Sequence, residues 1–363
     1  MKKICIVKYS MGAVDGAERV AINLANAFCS RYEVHAVSIC SDTGRLFYPL
    51  SEQVHFKNLL QEKARIRKVF LPGTRLLRRY LNENQIDVAI GIAASTNSFL
   101  IFGGGRAKTV FCEHLNIGSP YCNDFGQRAG RFLGAHFADK VITLTEQDKD
   151  EYLSKYHIPP ARADFIYNWV EDSLLERNPE YRADSRKIIT VGRITQQKGY
   201  DLLVRIAEKV FPRFPAWQWH IYGGGDPPET QRLENEIRQR GLQDFVVLKG
   251  QDPELYRRYG EYGIYAMTSY YEGLPMVLLE ARANNLPVIS FDCRTGPREI
   301  VADGQNGILV PAFDVDLYAE KLCALMENGE QRKRFSAHAR DHIDKFGKEQ
   351  VLKKWCELID NLN

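Results

Sequence analysis

The chain has 363 residues, with 49 Lys and Arg against 46 Asp and Glu and a formal charge of +3. Hydrophobic residues at 44% and charged residues at 26% are ordinary for a folded protein and exclude a disordered or collagen-like chain. So small a net charge argues against nucleic acid as a partner, but it is unevenly spread: residues 1–170 hold 22 basic and 16 acidic side chains (+6), residues 171–363 hold 27 and 30 (−3).

The first element is read at Ile4–Val7. Met1-Lys2-Lys3 imitates the basic start of a leader, but the apolar run ends at Lys8 and suits a buried strand better. Further strand-like runs follow at Val34–Ile39, Val88–Ile92, Thr109–Cys112, Lys140–Leu144, Lys187–Val191, Trp217–Ile221, Phe245–Leu248, Ile264–Met267, Val288–Phe291 and Gly307–Val310. Helical patterns lie between many of them, including Ala17–Cys29, Tyr200–Phe211, Glu229–Arg240 and Pro275–Asn284. Alternation of this kind predicts an α/β chain with parallel sheets covered on both faces. The pattern pauses at Tyr167–Asp172 and resumes after Ser185, which divides it into two Rossmann-like, doubly wound domains, 1–170 and 171–345. In such folds ligands lie at the carboxyl ends of the strands, here expected in a cleft between the domains. No stretch approaches the ~20 apolar residues of a membrane-spanning helix. The 8 cysteines are scattered without a Cys-x-x-Cys pair, as expected for free thiols in a cytoplasmic protein.

In the first half, Gly12 and Gly16 flank a strand-to-helix turn and could let a ligand approach the backbone. Residues 57–80 hold eight basic side chains and one acid, and Arg65, Arg67, Lys68, Arg75, Arg78 and Arg79 alternate with apolar residues. Pro72-Gly73 is expected to break this stretch into two pieces. It suits an anionic membrane surface or a lipid diphosphate, and equally a packed helix with a solvated basic face. His114, after Glu113, ends a strand where this fold places chemistry; Thr145–Asp148 reads as a helix cap.

In the second half, Gly192-Arg193…Lys198-Gly199 puts two cations on one strand-to-helix loop, a fork and a point charge suited to a diphosphate. Gly223-Gly224-Gly225 follows a strand and is a weak signal on its own. Glu272-Gly273-Leu274-Pro275 opens a helix and Glu280 lies in its second turn, so two carboxylates and free backbone amides share one strand end. Carboxylates there can accept hydrogen bonds from vicinal hydroxyls, as sugars and ribose present them. Thr295-Gly296-Pro297…Glu299 and Asn306-Gly307 follow.

In this order the motifs resemble those of the retaining glycosyltransferases of family 4, which have the GT-B fold, over about residues 4–345 and more tightly after 187. The resemblance implies that Arg193 and Lys198 hold a donor diphosphate and that Glu272 contacts the transferred sugar. Glu280 would hold the ribose, with Gly223, Gly224, Gly273 and Leu274 close to the donor. It implies roles for His114 near the donor sugar and for the Gly12 and Gly16 loop, where Asp15 replaces a glycine usual in the family. It further implies a crossing helix at 346–363 and no resident cofactor or metal, the nucleotide-sugar (UDP-sugars favoured) being a co-substrate. The acceptor would be a glycan or a polyprenyl-diphosphate-linked glycan of bacterial surface polysaccharide synthesis. The location would then be cytoplasmic, with peripheral attachment to the anionic inner membrane face as the form that a basic patch at 57–80 would give. A soluble sugar or sugar-phosphate acceptor is the alternative. An NAD-dependent oxidoreductase fits poorly, because Gly12…Gly16 lacks the dinucleotide spacing. A non-catalytic nucleotide-sugar-binding protein would have no need of all four motifs.

Overall fold

The computed structural model describes residues 1–12, 16–41, 46–62, 64–119, 125–252 and 254–362. Asp15, Lys63 and Cys122 lie outside the described residues. The chain divides into two compact units, Met1–Asn168 with Val351–Asn363, and Trp169–Gln350.

The first unit contains β1 (Lys3–Lys8), α1 (Gly16–Phe28), β2 (Glu33–Cys40), β3 (His55–Leu60), α2 (Ile66–Glu83), β4 (Val88–Ile92), α3 (Ala94–Gly103), β5 (Lys108–Cys112), α4 (Phe125–Phe137), β6 (Lys140–Thr143), α5 (Glu146–Tyr156) and β7 (Ala163–Phe165). Its sheet has the order β3-β2-β1-β4-β5-β6-β7, and every pairing is parallel. β1 and β4 carry continuous apolar runs, Ile4–Val7 and Val88–Ile92, because helices cover both faces, while the buried β2 interrupts its run with His35 and Ser38. β3 has no such run, since its residues are exposed or half-buried at the sheet edge, and β7 is three residues long; neither carries a strand pattern in the sequence.

Pro72 does not break the basic stretch. α2 is one helix of 18 residues that runs through it. Val69, Gly73, Leu77 and Leu81 form a buried stripe at four-residue spacing. A Cβ on Gly73 would lie 3.0 Å from Ile39 and 3.1 Å from Phe99, so the helix packs closely there. Burial of that stripe offsets the ~3 kcal/mol cost of an internal proline.

The second unit contains α6 (Asp172–Leu175), β8 (Lys187–Val191), α7 (Tyr200–Val210), β9 (Gln218–Tyr222), α8 (Pro227–Gln239), β10 (Val246–Gly250), β11 (Ile264–Met267), α9 (Met276–Ala283), β12 (Val288–Asp292), α10 (Pro297–Ile300), β13 (Gly307–Pro311), α11 (Val315–Glu327) and α12 (Gly329–Ala337). Its parallel sheet runs β10-β9-β8-β11-β12-β13. Two buried arginines tie its last turns together: Arg282 donates to the carbonyls of Ala339, Ile300 and Asp341, and Arg332 to those of Leu325, Met326 and Ala183.

The last helix, α13 (Lys348–Asn361), anchors to the first unit through its carboxyl half. Lys2 donates to the carbonyls of Ile359 and Leu362, Arg31 pairs with Asp360 at 2.6 Å, and Trp355 packs edge-on against Phe28. Among the described residues no helix is long and apolar enough to cross a membrane.

Candidate active site

In the second unit the strand order reverses between β8 and β11, and the loops that leave the carboxyl ends of these two strands meet. Lys198, on the β8 loop, places Nζ 2.7 Å from Glu272 Oε1 on the β11 loop. Both side chains are largely buried, at 18% and 7% exposure, so water screens the pair weakly. Arg193, five residues earlier on the loop, is exposed and no side-chain partner holds it among the described residues. The result is one cation braced by a carboxylate and one open guanidinium.

Backbone contacts that only small residues permit hold this arrangement. Gly199 has φ +62°, and a Cβ there would fall 2.1 Å from the Thr268 carbonyl oxygen. Gly296 has φ +96°, and a Cβ would fall 2.4 Å from Pro275 Cδ, which lets the Thr295–Pro297 turn close on the Glu272 loop. Thr295 Oγ1 donates to the Glu272 carbonyl at 2.7 Å. Gln197 Nε2 donates to the Tyr271 carbonyl at 3.1 Å, and the Tyr270 amide donates to the Gln197 carbonyl at 2.8 Å. The Lys198 stem lies against Gly192, whose carbonyl accepts a 2.7 Å bond from the Tyr200 hydroxyl.

The glycine turn serves the chain itself. A Cβ on Gly223 would lie 1.9 Å from the Gly192 carbonyl oxygen, and one on Gly224 would lie 2.6 Å from the Gln251 side chain. These residues let β9 close on the Arg193 loop, whose Ile194 amide donates to the Gly224 carbonyl. Gly273 and Leu274 precede α9, which begins at Met276 with Pro275 as its cap rather than its first residue. Glu280, one turn in, accepts a 3.2 Å bond from the Tyr259 hydroxyl.

In the first unit Glu113 is 1% exposed and turns inward. Its Oε2 accepts from Arg131 Nε and the Tyr152 hydroxyl, each at 2.7 Å, while Oε1 accepts from the backbone amides of His114 and Leu115 at 3.1 and 3.2 Å. The carboxylate thus sets the chain direction at half-buried His114 through its backbone amide. Gly12 and Gly16 border residues 13–15, which lie outside the described residues. A Cβ on Gly16 meets no described atom within 4 Å, so packing among the described residues does not demand glycine there. Lys8 at the end of β1 and the buried Glu18 of α1 pair at 3.3 Å. Arg65, Arg67, Lys68, Arg75, Arg78 and Arg79 are all exposed or half-buried, Arg65 as the cap of α2 and the others along it, with Leu71 exposed among them.

Two Asp-x-Asp triplets occur, and both lie at helix starts. Asp314 caps α11 through the Leu317 amide and Asp316 pairs with Lys209 at 2.8 Å. In the other, Asp150 pairs with Lys149, while Asp148 is buried and accepts from the Ile117 amide at 3.2 Å. Thr145 caps that helix through the Asp148 amide.

Burial, and then the charge of Glu113, pushes Asp148 up from 3.8 to about 7. A carboxyl whose folded value is raised keeps its proton while the unfolded chain has lost it. Stability contributed by Asp148 therefore falls as pH rises from about 4 to about 7. Asp148→Asn keeps the acceptor for Ile117 and removes the titration. The variant is expected to gain about 1–3 kcal/mol over the parent at pH 8 and little at pH 4. Urea unfolding at the two pH values measures this, and an equal gain at both would refute the assignment.

The sequence carried no signal for Tyr259, Gln197 or the Arg131–Tyr152 pair. Each lies far along the chain from its partner or acts through the backbone. Thr295 was visible as part of a motif, but not as the clamp on Glu272.

Residues 14–174 match the family model described as Glycosyltransferase Family 4, and residues 174–342 match Glycosyl transferases group 1. The chain is 27% identical over 99% of its length to the whole of the amylovoran biosynthesis glycosyltransferase AmsD of Erwinia amylovora. It is 24% identical over 97% of its length to 98% of an N-acetylgalactosamine-N,N'-diacetylbacillosaminyl-diphospho-undecaprenol 4-alpha-N-acetylgalactosaminyltransferase of Campylobacter jejuni. Its fold matches the crystal structure of a mutant S. aureus TarM, in complex with fondaparinux, alpha-GlcNAc-glycerol and UDP, with TM-score 0.83 and 16% identity over 99% of this chain and all of that one.

Proposed function

We propose that this chain, which belongs to the family 4 glycosyltransferases of GT-B fold, moves a hexose-type sugar from a UDP-sugar to a lipid-linked or glycan acceptor in bacterial surface polysaccharide synthesis, with retention of configuration and without a metal. The observation that carries the reading is the Lys198–Glu272 pair at the strand reversal, with Arg193 open beside it. The names of the relatives support the acceptor class, and the UDP in the TarM complex supports the nucleotide.

The chemistry follows from those groups. A diphosphate leaving group develops negative charge as its bond to the anomeric carbon breaks. Lys198 and Arg193 supply fixed positive charge to meet it. Glu272 holds Lys198 in place before the donor arrives and offers a carboxylate to the sugar hydroxyls, while Glu280, steadied by Tyr259, accepts from the ribose. The leaving oxygen takes the acceptor proton on the same face as the departing bond, so catalysis is positioning and charge stabilisation.

The test incubates the protein with a panel of nucleotide-sugars, with and without a polyprenyl-diphosphate-linked glycan, and follows nucleoside diphosphate release. Acceptor-dependent release of UDP, with an α-linked product, is expected. Release from no donor, or an inverted product, would refute the reading.

The basic face of α2 supplies the membrane arm of the proposal. Each basic side chain near an anionic leaflet contributes about 1 kcal/mol. Replacing Arg75, Arg78 and Arg79 together by glutamate should abolish co-sedimentation with phosphatidylglycerol vesicles at about 0.1 M salt, where screening is still incomplete. The reaction on a water-soluble acceptor analogue should be untouched. Unchanged sedimentation would show the face to be merely solvated.

A further inference from the structure

At the amino ends of the first unit's strands, away from the loops that carry the site above, Glu33, His35 and His55 bring one ligand atom each to within 4.8 Å of one another. Glu33 and His35 are two residues apart on β2, and so on one face of the sheet. His55 opens the edge strand β3 and is the register partner of His35. The two imidazoles lie 4.9 Å apart, and His35 Nε2 is 3.4 Å from Glu33 Oε1. The other nitrogen of His35, Nδ1, is 2.8 Å from the Tyr80 hydroxyl on α2.

We propose that these three side chains form a zinc site that clips the edge strand β3 to β2. Two imidazoles and a carboxylate are a donor set that zinc takes, with a fourth position left for water. Tetrahedral zinc, with ligands at about 2.0–2.1 Å, needs donor atoms about 3.4 Å apart. The His35–Glu33 separation already meets this. The widest separation closes by rotation of the exposed His55 side chain. Tyr80 supplies the outer support such a ligand needs. With Nδ1–H donated to the hydroxyl, Nε2 presents its lone pair towards Glu33.

A resident cation already marks the position. Lys3 Nζ lies 2.9 Å from the same Glu33 oxygen. Zinc would displace that ammonium, so Lys3 weakens binding without preventing it. The cluster is at the opposite end of the strands from the loops after β1 and β5, and its role is to staple an edge, not to take part in transfer.

The experiment is equilibrium dialysis of the full-length, tag-free chain against zinc chloride, with metal analysis and thermal melting. Wild type is expected to retain about one zinc more than His55→Ala and to melt higher with zinc than without. Tyr80→Phe should bind about tenfold more weakly, and Lys3→Ala more tightly. His55 is exposed, so its variant tests the site without risk to the fold. Zinc content equal in wild type, His55→Ala and Glu33→Gln, whether that content is zero or not, would overturn the proposal.

Discussion

Lys198→Ala is expected to lower kcat by about 10²–10³-fold, the usual cost of removing one preorganised group that meets developing negative charge. Under the proposed mechanism the effect belongs to turnover, because the ammonium would act most strongly as the diphosphate departs. A thermal-shift titration should therefore show a much smaller loss of UDP affinity than the loss of rate. The substitution also strands Glu272, whose carboxylate is 7% exposed and loses its 2.7 Å partner. Leaving a buried polar group unpaired costs about 1–3 kcal/mol, so a modest fall in melting temperature accompanies the loss. If the Glu272 carboxylate meets the transferred sugar as proposed, Glu272→Ala should also impair transfer while leaving free UDP binding nearly intact. The two changes act on one contact, and the double variant should be far less than additive. Wild-type turnover in Lys198→Ala at saturating donor would remove the residue from the mechanism. Equal loss of UDP affinity in Glu272→Ala would reassign that carboxylate to the nucleotide.

Glu113→Ala is expected to destabilise the first unit by about 3–5 kcal/mol, because it leaves the Arg131 guanidinium buried without its carboxylate. Both side chains of this pair are nearly inaccessible, at 3% and 1%. The same change releases the Tyr152 hydroxyl and the amides of His114 and Leu115. Activity at low temperature reports the second consequence. If the carboxylate sets the chain direction at His114, the surviving folded fraction should turn over more slowly than its population predicts. Replacing Glu113 and Arg131 together by leucine and methionine should recover most of the stability, since a well-packed apolar pair costs no desolvation. It should not recover the rate, because the two amide bonds stay lost. Denaturant unfolding followed by a probe in each unit separates the outcomes; a shift below about 1 kcal/mol would show that water reaches the pair.

Strands such as β4, whose Val88–Ile92 run is buried throughout, were legible because burial on both faces leaves an unbroken apolar run. β3 was not, because an edge strand with one open side needs no such run and carries His55 and Lys57 instead. Pro72 misled for a related reason. A propensity is a local energy, and the stripe of Val69, Gly73, Leu77 and Leu81 packs against residues supplied by β2 and α3.

The site divides in the same way. The alternation of strands and helices, the loops that end β8 and β11, and the presence of Arg193, Lys198 and Glu272 upon them and of Glu280 in the following helix could all be read along the chain. These are properties of short segments, set by periodicity and by the residue types a tight turn allows. Contacts between distant segments could not be read that way. Lys198 and Glu272 touch although 74 positions separate them, Thr295 holds the Glu272 loop, and Tyr259 bonds Glu280 on α9. Folding likewise turns Glu113 inward to Arg131 and Tyr152. A charged side chain's partner is set by which strands lie side by side, and the order in a parallel sheet follows from the packing of the whole unit, not from any single segment.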